Sequence, residues 1–240
     1  MSAHPIPQRR GLFSALAAHV AGFVFESVED EAEPQPQALE PHPVVAVVAA
    51  APKCGATTVA RLLGAELASR VGGAAIATSA RPTRRSAPPS RAALRLATAL
   101  AGAAEAQPCG RLCIVQMRPG TEAAADAAAL LNAARYLAPV VLDLPADGSA
   151  AGIAAIADHV VVVSGAAREP ALLDAVAGVV GGNPIKVVNR VTDPGEWSAR
   201  GAMWLPDSRI AVRAAAMGTR PLGPLATAIA ELADKLVAPR

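Results

Sequence analysis

Aromatic residues are nearly missing from the sequence: three Phe, two Trp and one Tyr make up 2% of 240 residues. Any core must therefore be built from closely packed Ala, Val, Leu and Ile, and a hydrophobic content of 52% supplies them. That composition suits helices laid on a parallel sheet. Cysteine is scarce as well. Cys54, Cys109 and Cys113 form no even disulfide set, and with the scattered His4, His19, His42 and His159 they give no zinc pattern. A reducing cytoplasm is the simplest setting. Charge of one sign is also lacking, since 22 Lys and Arg stand against 20 Asp and Glu for a net +2 and a pI near 8.6. The total alone gives no argument for a nucleic-acid partner. Finally, the chain lacks a convincing span. The apolar part of residues 9–25, RRGLFSALAAHVAGFVF, is about 15 residues where a bilayer needs roughly 20, and ESVEDEAE follows instead of a small-residue cleavage site.

What the N-terminal segment does offer is a one-sided helix, with Leu12, Leu16, Val20 and Phe23 together and Phe13 and Val24 beside them. Behind Arg9 and Arg10 such a helix suits an anionic membrane surface; the alternative is packing on its own domain or on a twin subunit. Residues 29–43, EDEAEPQPQALEPHP, are acidic and proline-rich and predict an extended linker. Two regions are expected: 1–43, helix and linker, and 44–240, one α/β domain.

That domain opens on a valine-rich apolar run at residues 44–50, followed by punctuation over 52–58 and a return at helical spacing through Val59, Leu62, Leu63, Ala65, Leu67 and Val71. Strand, loop and helix in this order can hold phosphate, because glycine lets backbone N–H groups close on the anion and the helix N-terminus adds its positive end. On the pattern G-x-x-x-x-G-K-[ST], Ala50 takes the first glycine, Gly55 the second, Ala56 the lysine, and Thr57 the magnesium-binding hydroxyl. Alanine at 56 removes the ammonium group that would neutralise the β and γ oxygens. Lys53 stands nearby, on a different part of the loop.

Three later landmarks follow. PVVLDLPADG at 139–148 sets Asp143 at a strand end, where a carboxylate can hold the water shell of magnesium. DHVVVVS at 158–164 and PIKVVNR at 184–190 are further buried strands, the second ending in Asn189, whose amide suits a purine edge. Together with MWLPDSRIAVRAAAMGTRP and the closing LATAIAELADKL, this order resembles the ParA/MinD group of P-loop ATPases over roughly residues 44–237. The loop ending Gly55-Ala56-Thr57-Thr58 looks most like the CpaE/TadZ branch, which helps localise pilus or secretion machinery.

The resemblance implies a mostly parallel sheet flanked by helices, ATP or ADP with Mg2+ as ligand, and a homodimer as the working unit. It places Lys53, Gly55, Ala56, Thr57 and Thr58 around phosphate, Thr57 and Asp143 at the metal, Asn189 on adenine, and Pro206 and Asp207 along the base. Against activity, the signature lysine falls on Ala51, and the second strand, AAIATSA, has Thr78 and Ser79 where active relatives place an aspartate. Weak or lost hydrolysis is expected, with a role as a cytoplasmic localisation or assembly factor; peripheral contact with the inner face of the membrane through residues 9–25 stays open beside packing on its own domain or a twin subunit. The alternatives are an active switch ATPase that uses Lys53 and a binding module without nucleotide. Arg81, Arg84, Arg85, Arg91 and Arg95 cluster in RPTRRSAPPSRAALR, where they could bind nucleic-acid phosphates or an acidic partner; Pro82, Pro88 and Pro89 favour a solvated flexible loop instead, and the lack of aromatics argues against stacking on bases.

Overall fold

A computed structural model describes residues 40–237, apart from 81–86, 103–104, 119, 121, 148 and 169. The helix and most of the linker expected at the N-terminus, with Arg81, Arg84 and Arg85, lie outside the described residues. Among those described, no helix is long and apolar enough to cross a membrane.

Strand β1 (Val44–Ala49) is buried along its whole length. Val44, Ala46 and Val48 enter the core on one face of the sheet, while Val45, Val47 and Ala49 enter the core on the other. This is the period of two expected of a strand covered on both sides. The remaining strands are β2 (Ala74–Thr78), β3 (Ala106–Cys109), β4 (Leu112–Gln116), β5 (Val140–Leu144), β6 (His159–Gly165), β7 (Ile185–Val191) and β8 (Met203–Pro206). They form one eight-stranded sheet in the order β3-β4-β2-β5-β1-β6-β7-β8. Every neighbouring pair is parallel except β3 and β4, joined by a tight turn at the edge.

Helix α1 (Ala56–Val71) follows β1 and presents Val59, Leu63 and Leu67 to the second core. It ends at Gly72, whose φ of 98° and N–H to the Ala68 carbonyl at 2.8 Å close the last turn. Helices α2 (Arg91–Leu100), α3 (Glu122–Ala134), α4 (Ala150–Ala154), α5 (Pro170–Val180) and α6 (Gly195–Ala199) contribute to the opposite core. Helices α7 (Ala211–Met217) and α8 (Pro224–Val237) pack over α1, which is therefore held between sheet and helices. The loop after β1 leads to one face of the sheet and the loop after the adjacent β5 to the other, which opens a crevice at the strand ends.

The arginine segment differs from the loop expected of it. Arg91 and Arg95 are exposed on α2, whose Ala93, Leu96 and Leu100 are buried. Pro88 and Pro89 precede that helix and so do not break it. Ser90 starts it, its Oγ accepting from the Ala93 N–H at 3.1 Å.

Candidate functional site

The loop between β1 and α1 turns through two left-handed residues, Lys53 at φ 62° and Gly55 at φ 91°. Gly55 has no side chain with which to cap the helix. The N–H groups of Ala56, Thr57 and Thr58 accordingly have no intrahelical acceptor and remain available to an anion. A Cβ on Gly55 would collide with the Asn189 amide, so this position demands glycine for space as well as conformation. Asn189 itself is buried and donates through Nδ2 to the Cys54 carbonyl at 3.2 Å, tying the end of β7 to the loop.

Above the loop lies a cavity of 710 Å³ at the C-terminal ends of the parallel strands. Its polar lining comes from Lys53 and Thr57 of the loop and helix start, Ser79 after β2, Asp143 on β5, and Arg190 on β7. Thr57 and Asp143, predicted to share a metal, do meet: the Thr57 hydroxyl donates to Asp143 Oδ1 at 3.2 Å. Asp143 Oδ2 accepts from the Thr78 hydroxyl at 2.6 Å, and Thr78 Oγ1 accepts from the Ala80 N–H at 3.0 Å. Asp143 is 5% exposed. Burial pushes its pKa up, against the hydroxyls of Thr78 and Thr57 and the charge of Arg61. Arg61, one turn beyond Thr57 on α1, is buried with its Nε unpartnered among the described residues.

The fit to a phosphate and a divalent cation rests on these groups. Free N–H groups and two cations face the cavity, and a hydroxyl and a carboxylate lie side by side at its floor. Among the described residues there is no group of three His, Cys, Asp or Glu that could hold a metal alone. A magnesium ion at Thr57 and Asp143 would therefore take most of its shell from water and phosphate oxygens, as that ion commonly does.

Not every predicted residue joins this cavity. Lys53, Gly55, Ala56, Thr57 and Asp143 line it. Thr58 follows, half-buried, on α1. Pro206 lines a separate 680 Å³ cavity with Trp204, Pro224 and Lys235, and Asp207 is exposed, its N–H donating to the Val191 carbonyl at 3.3 Å. Two residues escaped the sequence reading. Thr78 was counted there only as a missing carboxylate, although a hydroxyl at the end of a strand beside β5 is placed to hold Asp143. Arg190 gave no signal beyond its position after Asn189.

The order of strands and the loop crossing their C-terminal edge define the P-loop NTPase fold in its ParA/MinD form. Solved structures agree. A ParA family ATPase from Chlorobium tepidum TLS superposes with a TM-score of 0.57 at 14% identity, over 80% of this chain and 98% of the other. Apo McdA from Cyanthece gives 0.56 at 15% identity over 82% and 100%. MinD from Aquifex aeolicus, in the MinC:MinD cell division protein complex, gives 0.53 at 16% over 81% and 95%. No protein-family model and no curated protein matches the sequence.

Proposed function

We propose that this chain is a nucleotide-binding protein of ParA/MinD type, nearest the CpaE/TadZ branch, in which ATP or ADP acts chiefly as a structural ligand. The observation that carries this reading is the floor of the cavity, Thr57 against Asp143, beside a loop whose lysine position is Ala56. Phosphate would rest on the N–H groups of Gly55, Ala56, Thr57 and Thr58, and magnesium on Thr57 and the Asp143 water shell. When bound, magnesium screens phosphate charge. Without the lysine, or an aspartate in place of Thr78 and Ser79, little stabilises charge that develops during transfer. Nucleotide then favours one conformation or a homodimer, and the protein works through partners as a localisation or assembly factor.

Calorimetry with ATP and ADP in the presence of magnesium tests this. Binding that loses its magnesium dependence in Thr57→Ala, with negligible turnover, is the expected result. Absence of binding at millimolar nucleotide would leave only a scaffold without ligand. A second reading, a switch ATPase, is favoured by Lys53, whose left-handed backbone places it at the cavity with no acceptor among the described residues. Under that reading brisk turnover should vanish in Lys53→Ala.

A further inference from the structure

The cavity over the loop carries a second cation that comes from the sheet. Among the described residues only Lys53 and Arg190 are non-glycine residues with positive φ, at 62° and 64°, and both line this one cavity. Arg190 owes its conformation to a bulge, where the register of β7 against β8 slips between Asn189 and Val191. The bulge turns the residue after Asn189 out of the ladder toward the strand ends. There its Nη2 stands 3.9 Å from the point a Gly55 Cβ would occupy. No hydrogen bond or ion pair engages the Arg190 side chain among the described residues. Asp143, the carboxylate in the cavity lining, has both oxygens already held by Thr57 and Thr78.

The geometry points to Arg190 as the phosphate-binding cation of this site, reaching from β7 across Gly55 to the inner phosphates of a nucleoside di- or triphosphate. This assignment rests on the nucleotide-binding reading above. It differs from the lysine arrangement in direction. A loop lysine stands on the helix side and serves the outermost phosphates, whereas Arg190 stands on the Asn189 side of the loop, across from Asp143. Its planar guanidinium can grip two phosphate oxygens at once. Charge placed there holds the pyrophosphate that ADP and ATP share, so the two should bind with similar affinity while AMP binds far more weakly. Such a site retains ligand after γ-phosphate loss, consistent with nucleotide acting as a structural ligand.

The test is calorimetric titration of the full chain with Mg-ADP, Mg-ATP and AMP, using wild type, Arg190→Gln and Arg190→Lys. The glutamine variant should weaken ADP and ATP by roughly tenfold to a hundredfold, the loss expected for a charged hydrogen-bonding pair. AMP should change by less than about threefold on the same reasoning, because it lacks the pyrophosphate. Lysine should restore part of the loss. If Arg190→Gln melts early without ligand, Arg190→Gly, which fits the positive φ, replaces it. Wild type that binds ADP, with the variant binding within twofold of it, would overturn the role of Arg190 alone. Equal losses for ADP and AMP would do the same by showing a base-side or structural effect. Wild type that binds none of the three would instead overturn the nucleotide reading and this assignment with it.

Discussion

Asp143 sits on β5 between two threonine hydroxyls, and its burial raises the carboxyl pKa despite both hydrogen bonds and the nearby Arg61 charge. The folded state therefore holds the proton more tightly than the unfolded chain. Stability linked to this group is full in acid and falls as pH rises through the shifted pKa. Asp143→Asn should then raise the melting temperature of the ligand-free protein at neutral pH. The gain should shrink as pH drops through the carboxylate range, and melts at several pH values measure it. Magnesium-dependent nucleotide binding should be lost in the same variant. A gain that persisted unchanged into acid would show that packing, not charge burial, is responsible. Thr78 belongs to the same cluster. Read as sequence it marks only an absent aspartate, because which strand end adjoins β5 is a property of the sheet order.

Helix α1 carries the start of the site and is fixed at its far end by charge. Glu66 on α1 is 4% exposed and accepts from Arg220 Nε at 2.6 Å and from Arg70 at 3.3 Å; Arg70 also reaches Asp234 on α8 at 2.7 Å. Arg220 follows α7, so this network joins α1 to both helices that cover it. The arginines are partly exposed, which limits the energy of each pair. Arg220→Ala should cost about 1–2 kcal/mol in urea denaturation, since it leaves a buried carboxylate with fewer donors. Gly218, just before, is required in a stronger sense: at φ 61° its Cβ would enter the Cys109 carbonyl, an atom of backbone that cannot rotate away. Gly218→Ala should therefore cost roughly 2–4 kcal/mol by the same measurement. Element by element, β1, β5, β6 and β7 were legible as short apolar runs with punctuation at the end, and α1 by its helical spacing. The hairpin of β3 and β4 was not. AQPC is a short, proline-bearing edge strand, and proline is tolerated there only because an edge leaves one N–H side free. Helix α2 was hidden because the prolines before Ser90 read as breakers when they mark a boundary.

Across residues 40–237 the sheet carries an aliphatic core on each face, and the three cysteines lie in these cores. All are buried and free, and burial pushes the Cys113 thiol up to about 11. A thiol reagent at pH 8 should find almost no reactive group in the native protein and three after denaturation. Fast native labelling would contradict the packing around β4 and the loop. The fold class was legible in sequence because strands covered on both faces show as unbroken Val and Ala runs. The cavity was legible along the chain, as loop and acidic strand, but not across it. Arg190 and Gly55 are brought together by strand order and a bulge, and no local pattern encodes either. The same strand order sets a timetable. Val44 and Val45 of β1 pair with Val140 on one side and His159 on the other, so the central strand is made long before either neighbour. At about 5–20 residues per second of synthesis, it waits roughly 5–20 s with both edges open. During that interval VVAVVA is open to wrong pairing, and the phosphate loop at its end has no floor until β5 arrives.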